Sequence, residues 1–160
     1  MNKSIGVAIA AAVIGGAFAL ILKPVLFPPP PPPLLTGPCT SGNPHCKIVR
    51  VIMVAGKPQI QPIADESVNA PAVIFWEIET AGYTFPANGI NFYPASTTKD
   101  PGTAAPAGEF FNCGPLGTST TVYKCNNKHT PGGPPGPFGY TVTLSGSPAV
   151  PSLDPYILNN

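Results

Sequence analysis

The sequence predicts an all-β fold, a single antiparallel β-sandwich, preceded by one N-terminal transmembrane or signal helix and a polyproline linker. Three observations carry that prediction. Short runs of β-branched and aromatic residues recur through the second part of the chain, separated by turn-forming residues. Proline and glycine, 24 and 17 of the 160 residues, are scattered widely, and proline costs about 3 kcal/mol in a helix interior. An uncharged apolar run over residues 5–22 is followed, a few positions on, by six consecutive prolines. The expected organisation is residues 1–23 as signal anchor or signal peptide, 24–38 as a Pro-rich stalk, and 39–160 as the exported β-sandwich domain.

The apolar run is "IGVAIAAAVIGGAFALIL". As a helix its 18 residues span about 27 Å, close to a hydrocarbon core of about 30 Å. It reads either as an uncleaved signal anchor or as a signal peptide cut after Ala19, where Ala17-Phe18-Ala19 has the small-x-small form. Leu20, Ile21 and Leu22 continue the run past that point, which favours the anchor. Lys3 and the amino terminus against Lys23 alone favour N-inside, C-outside. The expected localisation is thus the cell membrane, single-pass, with the C-terminal domain in the periplasm or outside the cell, or secretion after cleavage at Ala19. Pro28 to Pro33, as polyproline II, make a spacer of roughly 19 Å.

Strands follow in order. "KIVRVIMV", residues 47–54, reads as one strand, bounded by Gly56-Lys57-Pro58. "VIFWEIET", residues 73–80, alternates Ile74, Trp76 and Ile78 with Phe75, Glu77 and Glu79. Ile90 and Phe92 in "NGINFY", then "GEFFNC" and "TTVYKC", read as further strands. In "FGYTVTLSG" Tyr140, Val142 and Leu144 share a face, and "DPYIL" closes the chain as an edge strand. Asp65-Glu66-Ser67 could open a short helical turn.

The four cysteines, Cys39, Cys46, Cys113 and Cys125, all follow the apolar run. An even count there points to disulfides in an oxidising compartment. Three connectivities are open; Cys39–Cys46 with Cys113–Cys125 is favoured because each closes a short loop of turn formers. Zinc lacks a Cys-x2-Cys pair, and His45 and His129 complete no finger spacing. With a net charge of +1 there is no field to gather nucleic acid.

Candidate chemistry is sparse. Glu77 and Glu79 sit two apart on a strand, a spacing that suits a glycoside-hydrolysing carboxylate pair, although a solvated strand face is the plainer reading. Ser145 and Ser147 lie in a Gly-Ser-Pro turn, not in a nucleophile elbow, and no phosphate loop occurs. No enzyme and no cofactor is expected. The loops "PASTTKDPGTAAPAG" and "NNKHTPGGPPGP" are long for the strands they join, so binding is expected there, with Tyr93, His129 and Phe138 as candidates. Tyr83, Phe85 and Phe92 join Tyr93 and Phe138 as a candidate aromatic contact patch for a protein or glycan partner, and core packing is expected for at least half of these five rings.

Tyr123-Lys124-Cys125, the following "YTVTL" strand and Trp76 resemble the strand F to strand G region and the strand C tryptophan of immunoglobulin-like domains. The resemblance is one of architecture, over residues 73–144, because Cys46 stands thirty residues before Trp76, too far for the family's first cysteine. The layout is also similar to the cupredoxin fold. That resemblance would imply copper at Cys125 and His129, with Cys113 or His45 assisting, but the family's methionine does not follow and Asn91 stands where its upstream histidine belongs. The function expected from all of this is a non-catalytic binding or structural module at the envelope, membrane-bound through residues 5–22. The alternative is a copper-binding protein using Cys125 and His129.

Overall fold

The computed structural model describes residues 37–93, 104–131, 133 and 136–160. The expected membrane segment and the six prolines lie outside the described residues, as does most of the loop after Tyr93.

The described chain is all-β. A single 3-10 turn, Pro38–Ser41, precedes twelve strands: β1 Cys46–Val49, β2 Val51–Val54, β3 Lys57–Ile60, β4 Glu66–Val68, β5 Ala72–Ile78, β6 Tyr83–Thr84, β7 Ile90–Phe92, β8 Phe110–Pro115, β9 Val122–Asn127, β10 Phe138–Val142, β11 Ser145–Gly146 and β12 Tyr156–Asn159. Two four-stranded sheets have the orders β1-β5-β9-β8 and β4-β12-β10-β7; β2-β3 and β11-β6 form two-stranded ribbons.

The alternation read from the sequence places side chains as expected along β5 and β10. Ile74, Trp76 and Ile78 are buried, as are Tyr140 and Val142 and, two positions past the end of β10, Leu144. The inner faces of both large sheets contribute to one apolar cluster. Trp76 sits at its centre. Its ring meets Tyr140 edge-on at 5.5 Å and Tyr123 at 6.4 Å, and its Nε1–H donates to the Tyr140 hydroxyl at 3.2 Å. Aromatic edge contacts of this kind add about 0.5–1.5 kcal/mol each beyond area burial. Burial holds the pKa of both tyrosine hydroxyls above the ordinary value.

Four expectations are corrected. The sheets are mixed, not purely antiparallel: β1 runs parallel to β5, and β12 parallel to β4. Residues 47–54 are two strands. At Arg50 the chain leaves β5 and enters the β2–β3 hairpin, with the Arg50 carbonyl accepting from Gln61 N–H at 2.8 Å and Val51 N–H donating to Thr80 Oγ1 at 2.8 Å. The segment is rich in β-branched residues on both sides of Arg50, and nothing local marks which partner each half will take. The helical turn expected to open at residues 65–67 does not form; Glu66–Val68 is strand β4, because β12 supplies a ladder that local propensity does not register. Strand β12 is internal, between β4 and β10, and the complete burial of Ile157 follows from that position.

Cys39 is bonded to Cys46 and Cys113 to Cys125. The second bond depends on a bulge. The β8–β9 register shifts between Phe111 and Gly114, and Asn112 takes a positive φ of 51°. The extra residues leave the ladder there, and Cys113 turns toward its neighbour on β9.

Candidate functional site

Glu66, Glu77, Glu79 and Glu109 are each engaged by neighbouring groups of the fold. Glu77 points away from the core, yet it is only 3% exposed. Its oxygens accept from Gly37 N–H at 2.7 Å and Cys39 N–H at 3.0 Å, so the solvated-face reading of Glu77 is corrected: the 3-10 turn covers it. Glu79 is paired with the Arg50 guanidinium through both oxygens, and that pairing raises the Arg50 pKa. Glu66, on β4, is buried between the first sheet and its own, with His45 Nδ1 at 2.6 Å and Lys47 Nζ at 2.5 Å. Glu109 is buried just before β8. It accepts from Thr130 N–H at 3.1 Å, Thr130 Oγ1 at 2.6 Å and Asn159 Nδ2 at 2.8 Å. Asn127 Nδ2 donates in turn to Asn159 Oδ1 at 2.7 Å, so this polar cluster joins β9 to β12. A buried polar group costs free energy unless it is hydrogen-bonded, and these are.

The thiol groups are equally committed. The sulfur that a Cys125–His129 copper site needs is in the disulfide with Cys113, and so is the Cys113 sulfur that was to assist. His129 Nε2 is 2.9 Å from the Asn160 carbonyl, and His45 is held by Glu66. Cys39, Cys46 and Glu77 bring three potential ligand atoms within 4.8 Å of one another, but both sulfurs are bonded to each other and the carboxylate is taken by backbone amides.

Core packing holds for four of the five aromatics, in line with the expectation that at least half of them are core. Tyr83, Phe85, Tyr93 and Phe138 are buried. Gly139 has no room for a side chain because the Tyr93 ring lies against its Cα. Phe92 is the partial exception. It stacks on Phe110 with ring centroids 3.7 Å apart and an interplanar angle of 7°, where edge strand β7 of one sheet meets edge strand β8 of the other. Beside this stack is a cavity of about 350 Å³ lined by Ile90, Asn91, Phe92, Tyr93, Pro106 and Phe110, among others. The ring edges and the Asn91 amide give this open hollow an apolar wall and a polar handle.

Of the three loop candidates, the structure brings only Tyr93 to this cavity. Phe138 is core, in edge contact with Phe110 at 6.0 Å, and His129 belongs to the Asn127–Asn160 corner. Phe110 is the residue that sequence reasoning missed, since its pairing with Phe92 comes from two edge strands meeting. Comparison of the chain with protein-family models, with curated proteins and with solved structures finds no match.

Proposed function

We propose that the protein is an exported, membrane-anchored binding or structural module of the cell envelope, its domain an immunoglobulin-like or cupredoxin-like β-sandwich. The observation that carries this reading is the pair of disulfides in an all-β domain of several small sheets that follows an uncharged 18-residue apolar run. Disulfides persist in oxidising compartments, and the run is long enough to cross a bilayer. The domain then stands in the periplasm or outside the cell. Binding is placed at the Phe92–Phe110 cavity, for a protein or glycan partner that presents a flat or apolar group to the rings.

Two measurements test this. An intact mass from the membrane fraction, non-reduced and alkylated, is expected to show residues 1–19 retained, two disulfides and no alkylated cysteine. A soluble species lacking those residues overturns the anchor. Affinity capture with the detergent-solubilised chain is expected to recover a partner that a Phe92→Ala, Phe110→Ala variant loses. Recovery of nothing above background overturns the binding reading.

A further inference from the structure

The β2–β3 ribbon leaves one of its edges open. Strand β2 pairs only with β3. Its Ile52, Met53 and Val54, 37%, 64% and 43% exposed, are three of the five exposed large hydrophobic residues among those described. The Ala55-Gly56 turn has a positive φ at both residues, 49° and 77°, the two-residue form whose flanking pair, Val54 and Lys57, is hydrogen-bonded. Bonded pairs alternate along an antiparallel ladder. Ile52 and Gln59 are therefore bonded, and Met53 faces Pro58, which has no N–H to give. Arg50 continues the alternation by accepting from Gln61 N–H at 2.8 Å.

The ladder also fixes which backbone groups line the open edge. A trans peptide sets each N–H opposite the carbonyl before it. The Ile52 and Val54 carbonyls face β3, so the N–H groups of Met53 and Ala55 face away from it, as do the carbonyls of Val51 and Met53. Val51 N–H, on this same edge, donates to Thr80 Oγ1 at 2.8 Å. Among the described residues no group accepts from Met53 or Ala55 N–H. Sheet edges are ordinarily guarded against pairing with another chain by charge, proline or a bulge. Strand β3 has Lys57 and Pro58, whereas residues 51–55 have neither charge nor proline, and the β2–β3 register runs without a shift.

We propose that β2 pairs with β2 of a second copy of this chain, antiparallel about a two-fold axis at Met53. The edge is self-complementary in that register. The two Met53 residues exchange N–H and carbonyl, and each Ala55 N–H meets the second copy's Val51 carbonyl, which leaves the Val51–Thr80 bond in place. The side chains match as well. Ile52 lies beside the second copy's Val54 on one face, Met53 lies beside Met53 on the other, and no like charges oppose each other in these rows. Residue i meeting j while j meets i is the condition for a closed two-fold dimer. The two ribbons become one four-stranded sheet, where a lone two-stranded ribbon is marginally stable in water. Pro58 on each outer strand stops further addition. The pairing depends on neither the membrane segment nor the Phe92–Phe110 cavity.

The test is a Met53→Cys variant of the full chain in detergent micelles under mild oxidation. A hydrogen-bonded antiparallel pair puts the two Cα atoms about 5.5 Å apart, within the span of a disulfide. Non-reduced mass spectrometry is expected to show a bridged dimer, with the bridge mapped to position 53 and both native disulfides intact. Gln59→Cys, on β3, is expected to give no bridge, because its twin lies three strand spacings away, about 14 Å. With the native cysteines alone, sedimentation equilibrium in density-matched detergent is expected to show a monomer–dimer equilibrium. An Ile52→Lys, Val54→Lys variant is expected to weaken it at least tenfold, since lysines then face lysines across the axis. Monomer at every concentration, species larger than a dimer, no bridge at position 53, or equal bridging from position 59 overturns the proposal. A dimer that the lysine variant leaves unchanged assigns association to another surface and also overturns it. Labelling of the ribbon tip by a lipid-borne photoprobe, in place of the bridge, gives the edge to the bilayer with the same result. The thiol bridge decides the question even where the lysine variant fails to fold.

Discussion

Glu66 holds the two sheets together at one edge, and its removal is expected to be among the costlier single changes in the domain. The side chains of Glu66 and Lys47 are 6% and 12% exposed, with Nζ 2.5 Å from Oε2. Lys47 lies on β1 of the first sheet and Glu66 on β4 of the second, so the pair bridges sheets. At an effective dielectric near 20 the attraction at this distance is about 6–7 kcal/mol. The desolvation of both ions offsets much of it. What a single substitution exposes is the other charge, left buried without its partner, at about 3–5 kcal/mol. Glu66→Gln is therefore expected to lose about 3 kcal/mol. Lys47→Met is expected to lose less, because His45 still faces Glu66 at 2.6 Å. The double variant should be milder than the sum of the two by about 2 kcal/mol, since no charge is stranded. Urea unfolding of the non-reduced protein followed by circular dichroism measures all three. A Glu66→Gln loss below 1 kcal/mol, or strictly additive singles, would refute the reasoning.

Stability at high pH follows from the buried tyrosines. The folded-state pKa values of Tyr140 and Tyr123 are raised by burial, so the stability they contribute is whole below about pH 10 and is lost as pH rises toward the folded values, at about 1.4 kcal/mol per pH unit for each group. Tyr140→Phe should make that decline shallower, and an unchanged slope in pH-dependent urea titrations would count against it. Gly139→Ala forces a methyl group into the Tyr93 ring and should cost about 1–3 kcal/mol, read as a fall of several degrees in Tm; an unchanged melt contradicts the close approach. Reducing both disulfides, whose sequence separations are 7 and 12 residues, should remove about 2–3 kcal/mol for each. A urea midpoint insensitive to reductant would contradict that figure.

Several features of this domain were legible in the chain itself. The strand at residues 72–78 and the one at 138–142 show in the alternation of Ile74, Trp76 and Ile78 and of Tyr140, Val142 and Leu144. The close spacing of Cys39 with Cys46 and of Cys113 with Cys125 pointed to the pairs that the structure joins. Alternation and short loop closure depend on neighbours a few positions apart, and such neighbours are written in sequence order.

Only the tertiary structure decided the rest. Whether residues 47–54 serve one sheet or two, and whether the last strand is an edge or a centre, depends on strands far away in sequence. Glu77 looks like any solvated strand residue until the turn at Pro38–Ser41 folds over it, some forty positions earlier in the chain. Cys125 and His129 are spaced like metal ligands, yet a bulge in β8 and the position of Asn160 commit both elsewhere. The Phe92–Phe110 wall exists because two sheet edges meet. Each of these is a long-range contact, and a side chain's role changes with the partner that the fold brings to it.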